Sequence, residues 1–237
     1  MIDAGISLRR IRTGLKGFGL SPDDIHGVLL THAHTDHISG AGILLKYHKI
    51  PVFASAGAAQ GLEEAFPETG PFINAFEPGA AFDLGGITVK CIPTPHDASG
   101  SVGFTLSVKA ARLAYFTDLG RVTGEILDAS LGAGAAVIEA NHDLDMLKSG
   151  PYPQFLKRRI LSDRGHLANK DCAGFAVRLF QAGLRHITLA HLSKENNTPE
   201  IARATVAQAL VEAGATVGAA VTVDVAPPDT IGAPHEV

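Results

Sequence analysis

Cysteine, methionine and tryptophan are scarce in this sequence of 237 residues, which contains two cysteines, two methionines and no tryptophan. Cys91 and Cys172 are far apart in the chain, which excludes the dense disulfide framework of a small secreted protein, and no clustered thiols indicate a structural zinc site. No apolar run approaches the roughly 20 residues needed to span a bilayer, and the first residues lack the basic start and apolar stretch of a signal peptide. We therefore expect a cytoplasmic protein with no membrane partner.

An excess of positive charge is also lacking. The chain has 20 Lys and Arg against 24 Asp and Glu, a formal net charge of −4, which argues against a generally basic nucleic-acid-binding protein. Hydrophobic residues make up 46% of the chain, enough for one substantial core or two small ones. The eleven histidines are the first sign of chemistry in the composition.

The order of apolar segments predicts an α/β fold (α+β in some schemes). Apolar runs alternate with segments of helical period through most of the chain, which is the pattern of layered helices and sheets. Segments rich in β-branched residues predict eight strands, at 28–31, 52–54, 87–93, 102–108, 113–117, 135–139, 187–190 and 217–225. We find no repeat and no linker, and we expect a single domain over residues 1–225 followed by a disordered, proline-containing tail over 226–237.

Two helices have recognisable ends. Asn169 is a suitable N-cap for a helix that Gly183 follows as a terminator. Thr198 with a proline behind it opens a second helix, which ends at Gly214.

The segment Val28–His37 runs from a strand directly into four potential metal ligands within six residues. His32 and His34, two apart in a turn, can converge on one cation, while Asp36 and His37 at the start of the next helix can face a second. The alternative is that these are surface histidines in a polar loop. Three His and one Asp at this spacing favour the metal-binding interpretation.

Three later segments repeat the order of apolar strand, turn and ligand-type side chain, and they end at His96, Asp118 and His191. Taken singly, each of the three has an ordinary structural explanation, His96 as a loop histidine, Asp118 as a turn former and His191 as a capping or hydrogen-bonded residue. In open α/β sheets, however, ligands gather beyond the carboxyl ends of the strands, so these ends can supply one site.

Counting the donors predicts a centre for two divalent metal ions. We assign His32, His34 and His96 to the first ion and Asp36, His37 and His191 to the second. Asp118 is assigned to a bridge between the two ions. Asp36 would also orient the attacking water, which makes it a catalytic candidate. Imidazole and carboxylate suit zinc, manganese or iron, so ligand type does not choose the metal.

Further polar residues surround this predicted centre. Glu139 and His142 follow another strand and could support a metal-bound histidine from behind, although a local cap and an exposed histidine would explain them equally well. His166 lies in a turn of a basic segment, 154–170, and could donate a proton to a leaving oxygen. The alternative for the segment is a solvated charged face. The candidate substrate-binding residues are Lys157, Arg158, Arg159, Arg164, Lys194 and Asn196.

The motif Thr31–His37, with the downstream His96, Asp118 and His191, resembles the metallo-β-lactamase fold superfamily. Segments 139–143, 156–167 and 190–197 are similar more narrowly to the bacterial YycJ/WalJ group, and the likeness runs from residue 2 to about residue 225. The resemblance implies an αββα sandwich, a dinuclear metal centre formed by the same seven residues, kinship with tRNase Z and the β-CASP nucleases, and exonuclease action on DNA.

Relatives in that group usually carry a further strand hairpin before the segment that matches Ile2–Gly5. We expect this chain to lack the N-terminal hairpin, and an edge left without its partner to lower stability and favour association into homo-oligomers.

These observations predict an enzyme, a dinuclear-metal-dependent hydrolase that cleaves phosphodiester bonds in nucleic acid, with DNA favoured over RNA by the resemblance. One alternative is a hydrolase of a small thioester, lactone or cyclic phosphate, because the same centre can activate water against a carbonyl. The other is an interaction module that binds metal but no longer turns over.

Overall fold

The computed structural model describes residues 1–228, 230–232 and 234. The chain divides into two compact units, one formed by Met1–Gly86 with Ala98–Val102 and the other by Ile87–Asp97 with the chain from Gly103 onward. Both are mixed α/β, which confirms the predicted class. The single domain and the disordered tail stay predictions, and residues 229, 233 and 235–237 of that tail lie outside the described residues. No described helix is long and apolar enough to cross a bilayer.

The first unit places a small parallel sheet against helices. Its helices are α1 (Leu8–Lys16), α2 (Thr35–Ile38), α3 (Ala41–His48) and α4 (Ala56–Ala65), and its strands are β1 (Val28–Leu30), β2 (Val52–Ser55), β3 (Ile73–Phe76) and β4 (Ala81–Leu84). The sheet has the order β1-β2-β3. On the free side of β1, the backbone of Met1 and Asp3 bonds to Leu29. The core is a cluster of buried aliphatic side chains that includes Leu30, Leu44, Leu45, Val52 and Leu62.

The second unit is built on a larger sheet. Its strands are β5 (Ile87–Pro93), β6 (Val102–Val108), β7 (Ala111–Phe116), β8 (Ala135–Glu139), β9 (His186–Ala190) and β10 (Thr222–Val225). They run in the order β5-β6-β7-β8-β9-β10. The helices are α5 (Gly124–Ser130), α6 (Leu144–Ser149), α7 (Gln154–Ile160), α8 (Asn169–Gln181) and α9 (Pro199–Glu212). Phe116, Ile138, Leu179, Leu189 and Leu210 belong to its buried core.

Strand direction in the second unit determines where its polar residues lie. β6 and β7 are antiparallel, whereas β7, β8, β9 and β10 are parallel. The register pairs Phe116 with Ile138 and Glu139 with Ala190. The residues that follow β7 and β9 and the last residue of β8 therefore emerge at one edge of the sheet.

Seven of the eight predicted strands agree with the structure to within two residues at either end, and β10 differs. It begins at Thr222 rather than residue 217, because Val217 and Val221 only form an isolated bridge around Gly218, whose φ is +90°. β3 and β4 were not predicted, since each has only four residues and none of them is buried.

The predicted N-cap at Asn169 is wrong. Ala168 occupies the cap position and Asn169 is the first helical residue. The Asn169 amide instead exchanges two hydrogen bonds of 2.9 Å with the amide of Asn197, which fixes it away from the helix end.

Candidate metal centre

The first unit groups the ligand-type residues that follow β1. The ring centroids of His32 and His34 are 4.7 Å apart, and those of His32 and His37 are 4.1 Å apart. His32 and His37 are buried, whereas the Asp36 side chain is 65% exposed and lies with Oδ2 3.7 Å from His37 Nε2. The turn brings three imidazoles together because His34 leads into α2, whose first turn carries Asp36 and His37.

Asp3 anchors this histidine group, and sequence reasoning missed it. Its Oδ2 lies 2.7 Å from His37 Nδ1, and its two oxygens accept hydrogen bonds from the backbone N–H and the hydroxyl of Thr31 at 2.8 and 2.9 Å. The Thr31 hydroxyl is also 3.0 Å from His32 Nδ1. The only signal in the sequence was an acidic residue near the start, because its nearness to His37 depends on the pairing of residues 1–3 with β1.

The first residues of the chain also touch the backbone of the ligand turn. Ala4 N–H donates to the His37 carbonyl at 2.8 Å. A Cβ placed on Gly5 would lie 1.5 Å from the Asp36 carbonyl oxygen. Only glycine permits this approach, so the first residues of the chain pack directly against the backbone of the turn.

The second unit groups four ligand-type residues around Glu139. Asp118, Glu139, His166 and His191 each offer one atom within 4.8 Å of the others. Glu139 Oε1 lies 2.7 Å from His191 Nδ1 and 2.8 Å from His166 Nδ1, and Asp118 Oδ1 lies 3.4 Å from His191 Nδ1. This set of imidazoles and carboxylates has the chemistry of a divalent-metal site.

Asp118 and His191 adopt an unusual backbone conformation. Their φ angles are +55° and +58°, in the left-handed region that L-residues rarely occupy. Such positions cost about 1–3 kcal/mol and cluster at functional sites. His191 directly follows β9 and Asp118 follows β7 by two residues, so both lie at the carboxyl-end edge of the sheet.

Glu139 is fully buried as an ionised group. Burial raises the pKa of this carboxyl. The hydrogen bonds to His166 and His191 and the charge of His166 lower the pKa by more than burial raises it, so the net pKa lies well below its usual range. Its second oxygen accepts the backbone N–H groups of Leu119 and Leu167 at 3.1 and 2.9 Å. Burial lowers the pKa of His166, but the bond to Glu139 outweighs it and the net pKa is raised.

His96 reaches the same group from the end of β5. Its Nε2 lies 3.8 Å from Asp118 Oδ1 and 3.4 Å from Asp97 Oδ1, and its Nδ1 lies 3.2 Å from the Gly165 carbonyl. Arg164 donates to its backbone carbonyl at 2.9 and 3.0 Å. Burial lowers the pKa of His96, which favours the neutral imidazole that binds metals.

Three predicted site residues are buried inside the second unit. The Lys157 ammonium donates to the carbonyls of Lys148 and Gly150, both at 2.7 Å. Asn196 donates to the Ser193 hydroxyl at 3.3 Å. The ring nitrogens of His142 make no hydrogen bond within the part of the chain that the structure describes, and burial lowers the pKa of this histidine. The predicted substrate residues Arg158, Arg159 and Lys194 are exposed.

Residues 1–191 match the family described as "Beta-lactamase superfamily domain". This chain belongs to the metallo-β-lactamase superfamily. Within that family it is a hydrolase, and its grouped imidazoles and carboxylates support the use of divalent metal.

Two curated relatives match nearly the whole chain. "Exodeoxyribonuclease YycJ" of Bacillus anthracis is 38% identical over 223 residues, covering 93% of this chain and 84% of that protein. "Exodeoxyribonuclease WalJ" of Streptococcus pneumoniae serotype 2 (strain D39 / NCTC 7466) is 34% identical over 234 residues, covering 97% and 87%. The similarity to the YycJ/WalJ group seen in the sequence is confirmed.

Solved structures support the fold. Zinc-bound PqqB from Methylobacterium extorquens has a TM-score of 0.70 at 19% identity, covering all of this chain and 82% of that one. The short form of human tRNase Z has a TM-score of 0.60 at 19% identity, covering 81% of each chain. At this identity the likeness shows the metallo-β-lactamase fold, which confirms the predicted fold family.

Proposed function

We propose that this hydrolase is a dinuclear-metal-dependent nuclease that removes nucleotides from DNA as an exonuclease. The observation that carries the proposal is the identity of 34–38% to two proteins named exodeoxyribonucleases, over more than nine-tenths of this chain. Every ligand-type residue of the predicted centre is present. A nucleic acid is therefore the proposed partner, with DNA preferred to RNA.

The proposed metal ligands are the seven residues named from the sequence, His32, His34, Asp36, His37, His96, Asp118 and His191. His37 and His191 share one arrangement that supports this role. Each has Nδ1 at 2.7 Å from a carboxylate, Asp3 or Glu139, so we place the metal at Nε2. Two divalent ions, with zinc, manganese and iron as the candidates, would supply Lewis acidity and lower the pKa of a coordinated water.

The chain's own side chains would move the protons. Asp36 is exposed and would orient the attacking water by accepting a hydrogen bond from it, as well as bind metal. His166 Nδ1 is bound to Glu139, so its Nε2 is the atom that would give a proton to the leaving oxygen. Glu139 stays ionised and holds His166 and His191 in fixed orientations.

The exposed cations of α7 and the loop after β9 are the proposed contacts for the phosphate backbone. These are Arg158, Arg159 and Lys194. Lys157 and Asn196 are buried and Arg164 bonds to the His96 carbonyl, so we propose that these three shape the surface. Arg159 also bonds to a protein atom, on Asp97, but its side chain is 59% exposed. His142 is proposed to pack behind Glu139 in the same way.

A cytoplasmic location is part of the proposal. Cys91 and Cys172 are both free and buried, and burial raises the pKa of Cys91 to about 12 and that of Cys172 further. Both thiols are therefore protonated and unreactive, as suits a reducing compartment.

A cleavage panel tests the proposal. Single- and double-stranded DNA and RNA with labelled ends are incubated with the protein and zinc or manganese, beside a small chromogenic phosphodiester and a thioester. We expect progressive shortening of DNA from an end. Hydrolysis of the small esters alone would favour the small-molecule alternative, and bound metal with no hydrolysis of any substrate would favour the interaction module.

A further inference from the structure

A pocket of about 350 Å³ opens beside His166 and His191, entirely within the second unit. One part of its wall is apolar and is formed by Tyr152, Leu156 and Leu192, while Arg159 and Lys194 provide cations. Its volume is near the lower end of the roughly 300–1,000 Å³ of small-molecule pockets. The pocket therefore suits one ring system with its attached charge rather than an extended stretch of polymer.

The aromatic part of this wall is fixed by the fold. Tyr152 lies between α6 and α7, and it is half-buried. The Lys157 ammonium on α7 donates hydrogen bonds to the carbonyls of Lys148 and Gly150, which precede Tyr152. These bonds tie the loop between α6 and α7 to α7. Leu156 lies on the same turn of α7 as Lys157. The loop that carries Tyr152 into the pocket wall is therefore held in place by the fold.

The charged part of the wall is also ordered. The Arg159 side chain donates a hydrogen bond to the Asp97 carboxylate, which also lines the pocket, so this pair is neutral as a whole and Lys194 supplies the net positive charge of the wall. Lys194 is exposed and follows His191 by three residues. Positive charge beside a flat aromatic surface is the combination with which proteins hold single-stranded nucleic acid, because bases stack on the ring and phosphates meet the cations.

We propose that this pocket receives one unpaired base next to the scissile phosphodiester, with Tyr152 as its stacking residue and Lys194 and Arg159 as contacts of the adjoining phosphate. This inference rests on the proposed nuclease function and adds a requirement to it. The nucleotide at the reaction centre must leave a duplex before cleavage. Unpaired ends are then better substrates than blunt paired ends.

The test uses oligonucleotides with uncleavable phosphorothioate linkages and a fluorescent 2-aminopurine at the terminal position, bound to the metal-loaded protein. Stacking on Tyr152 should quench the fluorescence. Tyr152→Ala should weaken binding roughly tenfold or more, whereas Tyr152→Phe, which keeps the ring, should bind like the original protein. Tyr47→Ala is the matched control, because Tyr47 is 66% exposed and does not line the pocket.

An abasic terminal nucleotide supplies the second arm. It should weaken binding to the original protein as much as Tyr152→Ala does. It should weaken binding to the Tyr152→Ala variant little further, because both changes remove the same contact between the base and the ring. On cleavable DNA, the same variant should raise KM and largely keep kcat.

The failures of the two proposals are distinguishable. If the protein binds and cleaves DNA but Tyr152→Ala and the abasic end leave affinity unchanged, the pocket assignment is overturned and the nuclease stands. If the original protein neither binds nor cleaves any nucleic acid, both are overturned.

Discussion

At the scale of single residues, two carboxylates orient the histidines of the two ligand groups, and their side chains are 10% exposed in Asp3 and fully buried in Glu139. Asp3 holds His37, and Glu139 holds His191 together with His166. In each case the carboxylate fixes the imidazole ring through Nδ1, and so determines that Nε2 is the nitrogen that faces away from the carboxylate. The rings need little reordering to bind a metal.

Asp3→Asn should weaken metal binding by roughly 10–100-fold, because the amide cannot hold His37 Nδ1–H as a carboxylate does. Asn tolerates the φ of +53° at this position, so the backbone need not change. Competition with a metal-binding dye measures the effect.

The control for this change is Asp23→Asn, which removes an equally short histidine contact, 2.6 Å to His48 Nδ1, on the surface. Its metal affinity should match that of the original protein. Equal losses in both variants would contradict the role given to Asp3.

Glu139→Gln should flatten the acid limb of the stability curve of metal-free protein. The pKa of Glu139 is lower in the folded chain than its ordinary 4.5, so its ionised form stabilises the fold above that value, and the stabilisation is lost as the pH falls toward the folded pKa. Urea unfolding at pH 7 and at pH 4, with chelator present, measures it. The variant should be less stable than the original protein at pH 7 by about 1–3 kcal/mol, because a buried hydrogen-bond donor loses its partner. A smaller difference in stability between the two proteins at pH 7 than at pH 4 would contradict the account.

The sequence was informative about ligand-type residues and less so about their supports. Thr31–His37 stands out because its ligands are close together in the chain. Asp3 contacts a residue 34 positions away, and no local pattern predicts such a pair. Lys157 looked like a surface cation by composition, but its ammonium is buried against two carbonyls, which only the fold determines.

At the scale of elements, the parallel strands β7, β8 and β9 explain why scattered residues meet. Their apolar cores predicted the strands, and parallel register then placed Asp118, Glu139 and His191 at one edge. β3 and β4 escaped prediction because four residues of mixed polarity give too little periodicity to recognise.

Two glycines offer opposite tests of packing. A Cβ on Gly174, inside α8, would meet nothing within 4 Å, whereas a Cβ on Gly5 would overlap the Asp36 carbonyl. Gly174→Ala should raise the free energy of unfolding by about 0.5–1 kcal/mol through helix propensity. Gly5→Ala should lower it by about 1–3 kcal/mol and shift the ligand turn. Urea titrations of both variants measure the changes, and a neutral Gly5→Ala would show that the close approach is not needed.

At the scale of the whole molecule, a nuclease of net charge −4 would have to bind a polyanion through local cations and metals. Arg158→Ala should reduce the slope of log affinity against log salt for single-stranded DNA by about 0.7, the value for one lost phosphate contact. Arg178→Ala, an exposed arginine on α8, should leave the slope unchanged. Identical slopes for Arg158→Ala and the original protein would remove Arg158 from the proposed surface.

The most direct measurement of the central claim is the rate of end-labelled DNA cleavage as metal-free protein is titrated with zinc or manganese. Two ions held by seven side chains predict no cleavage without metal and full activity at two equivalents per chain. Full activity at one equivalent, or no cleavage when both sites are filled, would contradict the account.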